Sequence, residues 1–332
     1  MGTAITIGNF DGVHLGHVAL LRAARQRAGN AGRVVVVTFD PHPAAILAPG
    51  KQPPRLMSLD DRRAALLAAG ADEVVALQPT PEFLTTPAEA FIDGLVDRFA
   101  PGWFVEGDDF HYGQGRKGTI QTLRAHGLRR GFELHVVESV VTPLLDHTIA
   151  PVSSSLVRWL VSHGRVGDAA ALLGRPYELV GVVERGDQIG RTIGVRTANL
   201  HQDSDEACLL PADGVYAGWA QLPDGRSLPA AINIGVRPTV AGTTRRVEAH
   251  LIDPDSAPDP RPASGVPDYG WRLRLGFQAW LREQVRFSSR EALREQLRRD
   301  TARALRLLVP GVLPSITSLR VSPSPASQRT AT

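Results

Sequence analysis

Residues 8–17 read GNFDGVHLGH, and the placement of this stretch decides the first half of the fold. Upstream, AITIGNF (4–10) is an apolar run that reads as a strand. Downstream, residues 14–28 carry Leu15, Val18 and Leu21 among alanines, the spacing of an amphipathic helix, with Gly29 as its stop. Three glycines, two histidines, one aspartate and one asparagine therefore sit where strand hands over to helix. In open parallel sheets, ligands bind outside the carboxyl ends of strands. Glycines let a backbone approach a ligand closely, and a helix start offers unpaired N–H groups and a positive dipole end, which favour phosphate. His14 and His17, three apart, fall on roughly the same side of the helix start and can donate two hydrogen bonds to one phosphoryl group. The stretch is neither G-x-x-x-x-G-K-[ST] nor G-x-G-x-x-G, which disfavours kinase-type and dinucleotide-type loops. Two plainer readings stay open at this point: both histidines are satisfied structural residues, or they are zinc ligands with a remote third partner.

Working outward, strands and helices alternate to about residue 140. RVVVVTF (33–39) is a continuous β-branched run, the mark of a strand covered on both faces. Ser58 is placed to cap a helix through Ala69, and EVVALQ (73–78) reads as a strand. Thr86, Pro87 and Glu89 fit N-cap, N1 and N3 of a helix to Phe99. WFVEG (103–107) is a strand, Thr119 to Leu128 a helix, and ELHVVES (133–139) a strand. This alternation predicts an α/β doubly wound parallel sheet. Ser153 to Leu173 reads as helical with a break near Gly164.

From Tyr177 the rhythm changes to short, turn-punctuated segments: YELVGVVERGDQIG, GVYAGWAQL, AAINIGV, VEAHLID and WRLRLGF, with PDGR (223–226) as a hairpin turn. Strands at this spacing predict an antiparallel β-barrel. Residues 254–267 hold five prolines and read as a solvated loop. Ser288 and Glu291 fit a capping box opening a C-terminal helix to about Leu308. The expected organisation is a first domain over 1–168, a linker over 169–176, a barrel domain over 177–309, and a disordered tail over 310–332.

The bulk numbers agree with two domains, since 332 residues exceed one ordinary core. Hydrophobic content of 43% and charged content of 21% are those of a globular protein. The net charge is +3, and the positive charge is nearly all arginine, Lys51 and Lys117 being the only lysines. These charges are scattered, which argues against a nucleic-acid partner, while a mild positive field suits anionic substrates such as nucleotides. The single cysteine, Cys208, excludes an internal disulfide framework and a cysteine-cluster metal site, and reads as a small buried apolar residue. No apolar run approaches the roughly 20 residues of a membrane span, and the start lacks a secretory signature. The chain reads as cytoplasmic, and as a monomer or weak oligomer.

At this point GNFDGVHLGH resembles the nucleotidyltransferase signature of the bifunctional riboflavin kinase/FAD synthetase family, and other segments match in order. TFDPHP (38–43), EGDDFHYG (106–113) and SSSLVR (153–158) are similar to that family's first-domain motifs. GRTIG-VRTANL (190–200), LPADGVYAG (210–218), NIGVRPTV (233–240), VEAHLID (247–253), DYG (268–270) and LREQVRFSSREALREQLRRD (281–300) follow its riboflavin kinase domain.

The resemblance implies two reactions. In the first domain, FMN phosphate attacks the α-phosphate of ATP, giving FAD and pyrophosphate. His14 and His17 would stabilise charge, and Arg158 would clamp the β- and γ-phosphates, with Ser153 and Ser154 donating hydroxyls. Gly8, Asn9, Phe10 and Gly16 would line the ATP, and Asp11, Asp109 and Phe110 the flavin. For Asn9 and Asp11 a pure turn role stays open, and for Phe110 a core role. In the second domain, ATP phosphorylates riboflavin to FMN, with Glu248 as base toward the 5′-hydroxyl. Strand alternation lets one carboxylate at Glu248 point into a barrel-mouth cleft, a solvent-face charge being the alternative. The resemblance assigns Gly190 and Arg191 to ATP, Thr197 and Asn199 to Mg2+–ATP, and Arg237 to flavin.

Where the family has P-T-A-N, this chain has Arg196-Thr197-Ala198-Asn199, with Val195 in place of an aromatic. Loss of a proline frees φ and restores an N–H, and an arginine can add a phosphate contact. Leu156 replaces a common arginine, the 254–267 loop is longer, and the chain starts almost at the first strand, without the usual leader. Three further readings stay open: FAD synthesis alone, with a kinase-like domain impaired at Arg196; a nucleotidyltransferase acting on another phosphorylated alcohol; and a non-catalytic flavin-binding protein.

Overall fold

The computed structural model describes residues 2–185, 197–203, 207–239, 242–256 and 261–308, with the side chains of 237–239 and 242–244 also left aside. Gly190, Arg191, Arg196, the Arg237 side chain and the expected tail at 310–332 lie outside the described residues.

Five strands make a parallel sheet: β1 (Thr3–Ile7), β2 (Arg33–Phe39), β3 (Glu73–Leu77), β4 (Pro101–Gly107) and β7 (Glu133–Val137), in the order β3-β2-β1-β4-β7. Between them run α1 (Leu15–Ala28), α2 (Pro43–Leu47), α3 (Leu59–Ala68), α4 (Pro81–Leu84), α5 (Ala88–Phe99) and α6 (Ile120–Arg130). Two hairpins are added, β5 (His111–Tyr112) with β6 (Gly118–Thr119), and β8 (Val141–Pro143) with β9 (Ile149–Pro151). Both sheet faces are covered, which is why RVVVVTF carries no polar alternation. Val34 and Val36 pack with Leu21, Ala24, Ala65 and Leu66 on one face. Val35 and Val37 pack with Phe91, Ile92, Leu95 and Leu123 on the other. The strand order turns back between β1 and β4, and their pairing ends at Ile5 opposite Phe104. The crevice that α/β sheets use for ligands therefore opens at the carboxyl end of β1.

The helical run breaks at Gly164 (φ 73) into α7 (Ser154–Ser162) and α8 (Val166–Leu173). Val157, Leu160, Ala169 and Leu172 belong to one apolar cluster with Leu179, Leu275 and Phe277 of the barrel. The barrel closes as β10-β11-β14-β13-β12-β15, from β10 (Tyr177–Glu184), β11 (Ala198–His201), β12 (Gly214–Gln221), β13 (Ser227–Thr239), β14 (Gly242–Leu251) and β15 (Arg272–Arg282). Every pairing in it is antiparallel. α9 (Arg290–Leu307) covers its outside through Ala304 against the Val215, Ala217 and Trp219 face.

The observed architecture is the expected one, with local differences. Pro87, not Thr86, precedes α5, because the Thr86 carbonyl accepts Gln114 N–H (2.9 Å) and is drawn off the helix start. Ser289, not Ser288, caps α9, its hydroxyl accepting Ala292 N–H at 3.1 Å. β11 is a sixth strand, four residues long, inside a segment read only as a motif. The proline-rich loop is tied at its base rather than simply solvated: Ser256 is 4% exposed, and its hydroxyl accepts Arg261 N–H at 3.0 Å. Cys208 is half-buried at the edge of the barrel cluster.

Candidate active sites

The turn after β1 is strained and closely held. Phe10 (φ 48), Gly12 (φ 86) and Val13 (φ 40) all have left-handed backbone. A Cβ on Gly12 would come within 2.8 Å of Leu56 Cδ1, so this position takes glycine for space as well as for φ. The carbonyls of residues 9–13 are all paired. Asn9 C=O accepts Thr38 Oγ1 (3.1 Å) and Arg62 Nη1 (2.8 Å). Phe10 C=O accepts Val13 N–H (3.2 Å), and Asp11 C=O accepts Ser154 Oγ (2.8 Å). Gly12 C=O and Val13 C=O accept Nη2 and Nη1 of Arg175, at 2.7 and 3.0 Å.

His14 is the N-cap of α1, and it forms a reciprocal box with His17: each Nδ1 accepts the other residue's backbone N–H at 3.3 Å. An Nδ1 that accepts leaves the proton of a neutral ring on Nε2. The rings stack with centroids 3.5 Å apart and 15° between planes. Gly16 makes room for this, since a Cβ there would lie 3.1 Å from the His14 ring. Phe10, 1% exposed, abuts His17 edge-on at 4.9 Å. Burial pushes the His14 pKa down to about 4, and the charges of Arg175 and Arg158 add to the effect. Burial, then the neighbouring His14, holds His17 well below the ordinary imidazole value. Both rings are neutral donors at neutral pH.

Asp11 and Arg158, expected on flavin and triphosphate respectively, are joined to each other at 2.5 Å. Asp11 also accepts Leu56 N–H at 3.0 Å, and Arg158 Nε donates to Pro54 C=O at 2.8 Å. Ser153 caps α7. Asn9 meets His42 Nε2 at 3.0 Å. His42 Nδ1 accepts Ala44 N–H, so Nε2 is the donor, and the Asn9 amide oxygen, otherwise buried without a partner, is the atom that belongs on it. The Asn9 NH2 then takes the buried position beside it. Gly8 N–H bonds to Val37 C=O at 3.0 Å. Asp109 is exposed just past β4, and Phe110 stacks on Tyr112 (5.3 Å, 18°) against the core.

Sequence reasoning missed four residues here: Arg62, His42, Glu106 and Arg175. Arg62, 5% exposed, reaches Asn9 C=O, Phe39 C=O (3.1 Å) and Asp40 (2.9 Å). Glu106, 1% exposed, accepts Ile7 N–H at 2.9 Å where β1 and β4 part, and burial pushes its carboxyl well above the usual range. His42, inside TFDPHP, and Glu106, at the start of EGDDFHYG, carried a signal; Arg62 and Arg175 carried none.

In the barrel, register brings Glu248 directly between Asn199 of β11 and Asn233 of β13. Thr197 is two residues before Asn199. Ala198, Leu200, Ile232, Ile234, Val247 and Ala249 fill the barrel, so the intervening Asn199, Asn233 and Glu248 share its outer face. This corrects the expected barrel-mouth position of Glu248. Asn233 Oδ1 accepts Gln284 Nε2 at 2.9 Å. All three are oxygen donors, the kind that suits Mg2+, while no cluster of three or more His, Cys, Asp or Glu able to hold a metal occurs among the described residues.

Comparison with known proteins matches the two halves separately. Residues 1–154 match the family model for FAD synthetase, and residues 173–308 that for riboflavin kinase. The chain is 38% identical over 312 residues to the bifunctional riboflavin kinase/FMN adenylyltransferase of Pseudomonas fluorescens, covering 93% of this chain and 94% of that one. It is 34% identical over 301 residues to the same-named protein of Escherichia coli (strain K12), covering 90% of each. Among solved structures, one titled as a macrolide-efflux protein from Streptococcus pneumoniae superposes with a TM-score of 0.79 at 25% identity, covering 93% of this chain and 95% of that one. No helix among the described residues is long and apolar enough to cross a membrane.

Proposed function

Because the chain belongs to the bifunctional riboflavin kinase/FMN adenylyltransferase family, we propose that its two transfers are divided between the turn after β1 and the Glu248 row of the barrel. The protein is a transferase that phosphorylates riboflavin to FMN with ATP and adenylylates FMN to FAD with release of pyrophosphate. A domain boundary within 169–176 goes with this division.

Adenylyl transfer needs the two phosphates held in line and the leaving pyrophosphate's charge balanced. The paired Nε2–H groups of His14 and His17 donate to the triphosphate, together with the start of α1, while Asn9 shapes the turn beside them. Neutral rings can donate without paying to charge a buried imidazole, and an arriving polyanion favours their protonation if a proton is needed. Arg158 grips the β- and γ-phosphates, and Asp11 keeps its guanidinium in place beforehand. Gly8, Phe10 and Gly16 shape the ATP side. Ser153 and Ser154 set the start of α7, while Asp109 and Phe110 border the flavin.

In the barrel, Glu248 takes the proton of the riboflavin 5′-hydroxyl as it attacks the γ-phosphate of ATP. Thr197 and Asn199 hold Mg2+, which when bound offsets charge on the phosphates. Gly190, Arg191 and Arg237 complete the ATP and flavin contacts by family resemblance. The match of both family models favours two activities over a kinase-like domain silenced at Arg196. The reading extends to a cytoplasmic enzyme, monomeric or weakly associating, that uses no nucleic acid.

The observation that supports the division is spatial: the imidazole pair heads β1 of the sheet, and Glu248 lies on β14 of the barrel. In the test, His17→Ala loses FAD formation from FMN while still converting riboflavin to FMN, and Glu248→Ala does the reverse. The flavins are separated by chromatography. Loss of both activities in either folded variant overturns the division.

A further inference from the structure

Resting on the reading that the turn after β1 grips the triphosphate, we propose that Arg175, at the threshold of the barrel, is a positioning residue that sets this turn's geometry for FMN adenylylation. Three of the four residues Phe10 to Val13 are left-handed, two of them not glycine. Such backbone costs about 1–3 kcal/mol per residue and persists only where the surroundings over-determine it. A β-branched residue such as Val13 is least at ease there.

The guanidinium of Arg175 supplies that restraint. It bridges the carbonyls of Gly12 and Val13, both left-handed, at 2.7 and 3.0 Å. Val13 precedes His14, so the peptide plane that Arg175 holds also directs the N-cap. His14 is locked to His17 through the reciprocal cap and the ring stack. A rotation at Val13 therefore moves both Nε2–H donors together.

Arg175 itself is fixed from the barrel side. It is 7% exposed and lies between Gly174, the left-handed C-cap of α8, and Pro176, which leads into β10. Beside it, Arg274 of β15 bonds to Glu178 of β10 (2.9 Å) and to Asp61 of α3 (2.5 Å). The next residue on α3 is Arg62, which holds the Asn9 carbonyl. The barrel thus reaches both ends of the turn, through Arg175 to residues 12 and 13 and through Arg274, Asp61 and Arg62 to residue 9. Between these two contacts lies a cavity of about 310 Å³ bordered by Gly12, Asp61, Arg175, Glu178 and Arg274. Leu56 and Leu173 pack against Gly12 on that side, and the arginine bonds fix the carbonyl directions that this apolar contact leaves free.

The test compares Arg175→Met, Arg175→Lys and His17→Ala in the full chain. A misplacement of about 1 Å costs on the order of a hundredfold, so Arg175→Met is expected to lower kcat for FAD formation roughly 10- to 100-fold. KM for ATP should change much less, and riboflavin phosphorylation should stay within about twofold, since the Glu248 row is remote from Arg175. Arg175→Lys keeps the charge but not the fork, and should lose roughly three- to tenfold in the same kcat; it carries the test if the methionine variant does not fold. Unchanged kcat for FAD formation, or equal losses in both reactions, overturns the proposal. If His17→Ala still makes FAD, the reading of the turn itself fails. If His17→Ala is inactive while both Arg175 variants are normal, the turn stands and only the role of Arg175 falls.

Discussion

Replacing His14 with asparagine should remove most of one acid-sensitive step in stability. The unfolded imidazole titrates near 6.5, whereas in the folded chain burial and the nearby Arg175 and Arg158 charges hold it down at about 4. Above pH 6.5 the ring is neutral in both states and contributes no pH dependence. Between 6.5 and 4 the unfolded chain takes up a proton that the folded chain refuses, so stability falls as the pH falls. At about 1.4 kcal/mol per pH unit, that gap amounts to about 3 kcal/mol across the window. Asparagine does not titrate, yet it is as good an N-cap, so His14→Asn keeps an acceptor for the His17 N–H. At pH 7 the variant should be less stable, because it loses the ring stack. Toward pH 4 the difference should shrink by about 3 kcal/mol and can change sign. Urea unfolding of both proteins at stepped pH, followed by circular dichroism, measures it, and taking the difference cancels carboxylates common to the two. A difference that does not vary with pH would show that His14 is solvated or charged in the folded state, and the neutral-donor account of the imidazole pair would go with it.

Asp11→Ala leaves the Arg158 guanidinium without its partner at a site where both side chains are largely buried; a loss of about 3 kcal/mol in urea unfolding is expected, with FAD formation lost and riboflavin phosphorylation kept. Gly12→Ala forces a Cβ to within 2.8 Å of Leu56 Cδ1 at φ +86, and should cost about 1–3 kcal/mol in thermal unfolding and slow FAD formation. Glu106→Gln should stabilise the chain at neutral pH, because the raised carboxyl pKa means folding keeps a proton that the unfolded chain has released above pH 4.5. That gain should vanish when unfolding is measured below pH 4.5, and a gain that persists there would contradict the sign.

What the sequence made legible was whatever leaves a period or a local pattern. The unbroken RVVVVTF run announced a strand covered on both faces, and the change of rhythm at Tyr177 announced the barrel. The histidine pair was legible as a unit, but the mutual capping was not. Spacing places two rings on one side of a helix, and only the backbone conformation at His14 shows that each Nδ1 is already used. β11 escaped because four residues hold too few alternations to stand out. Glu248 looks like a solvent-facing strand charge, and the register that sets it beside Asn199 and Asn233 depends on strands far apart in the chain. Arg62 and Arg175 left no trace at all. With 37 basic residues, nearly all arginine, one more in a helix or after a glycine reads as solvated surface. Their bonds to the turn run to backbone carbonyls, which every residue carries, so the acceptor end has no sequence identity. The strained turn does imply them: left-handed backbone at Phe10 and Val13 needs something to hold it, and its carbonyls need donors. Asking where those donors come from leads to α3, α7 and the threshold of the barrel. A site that looks local to ten residues is therefore assembled by the whole molecule.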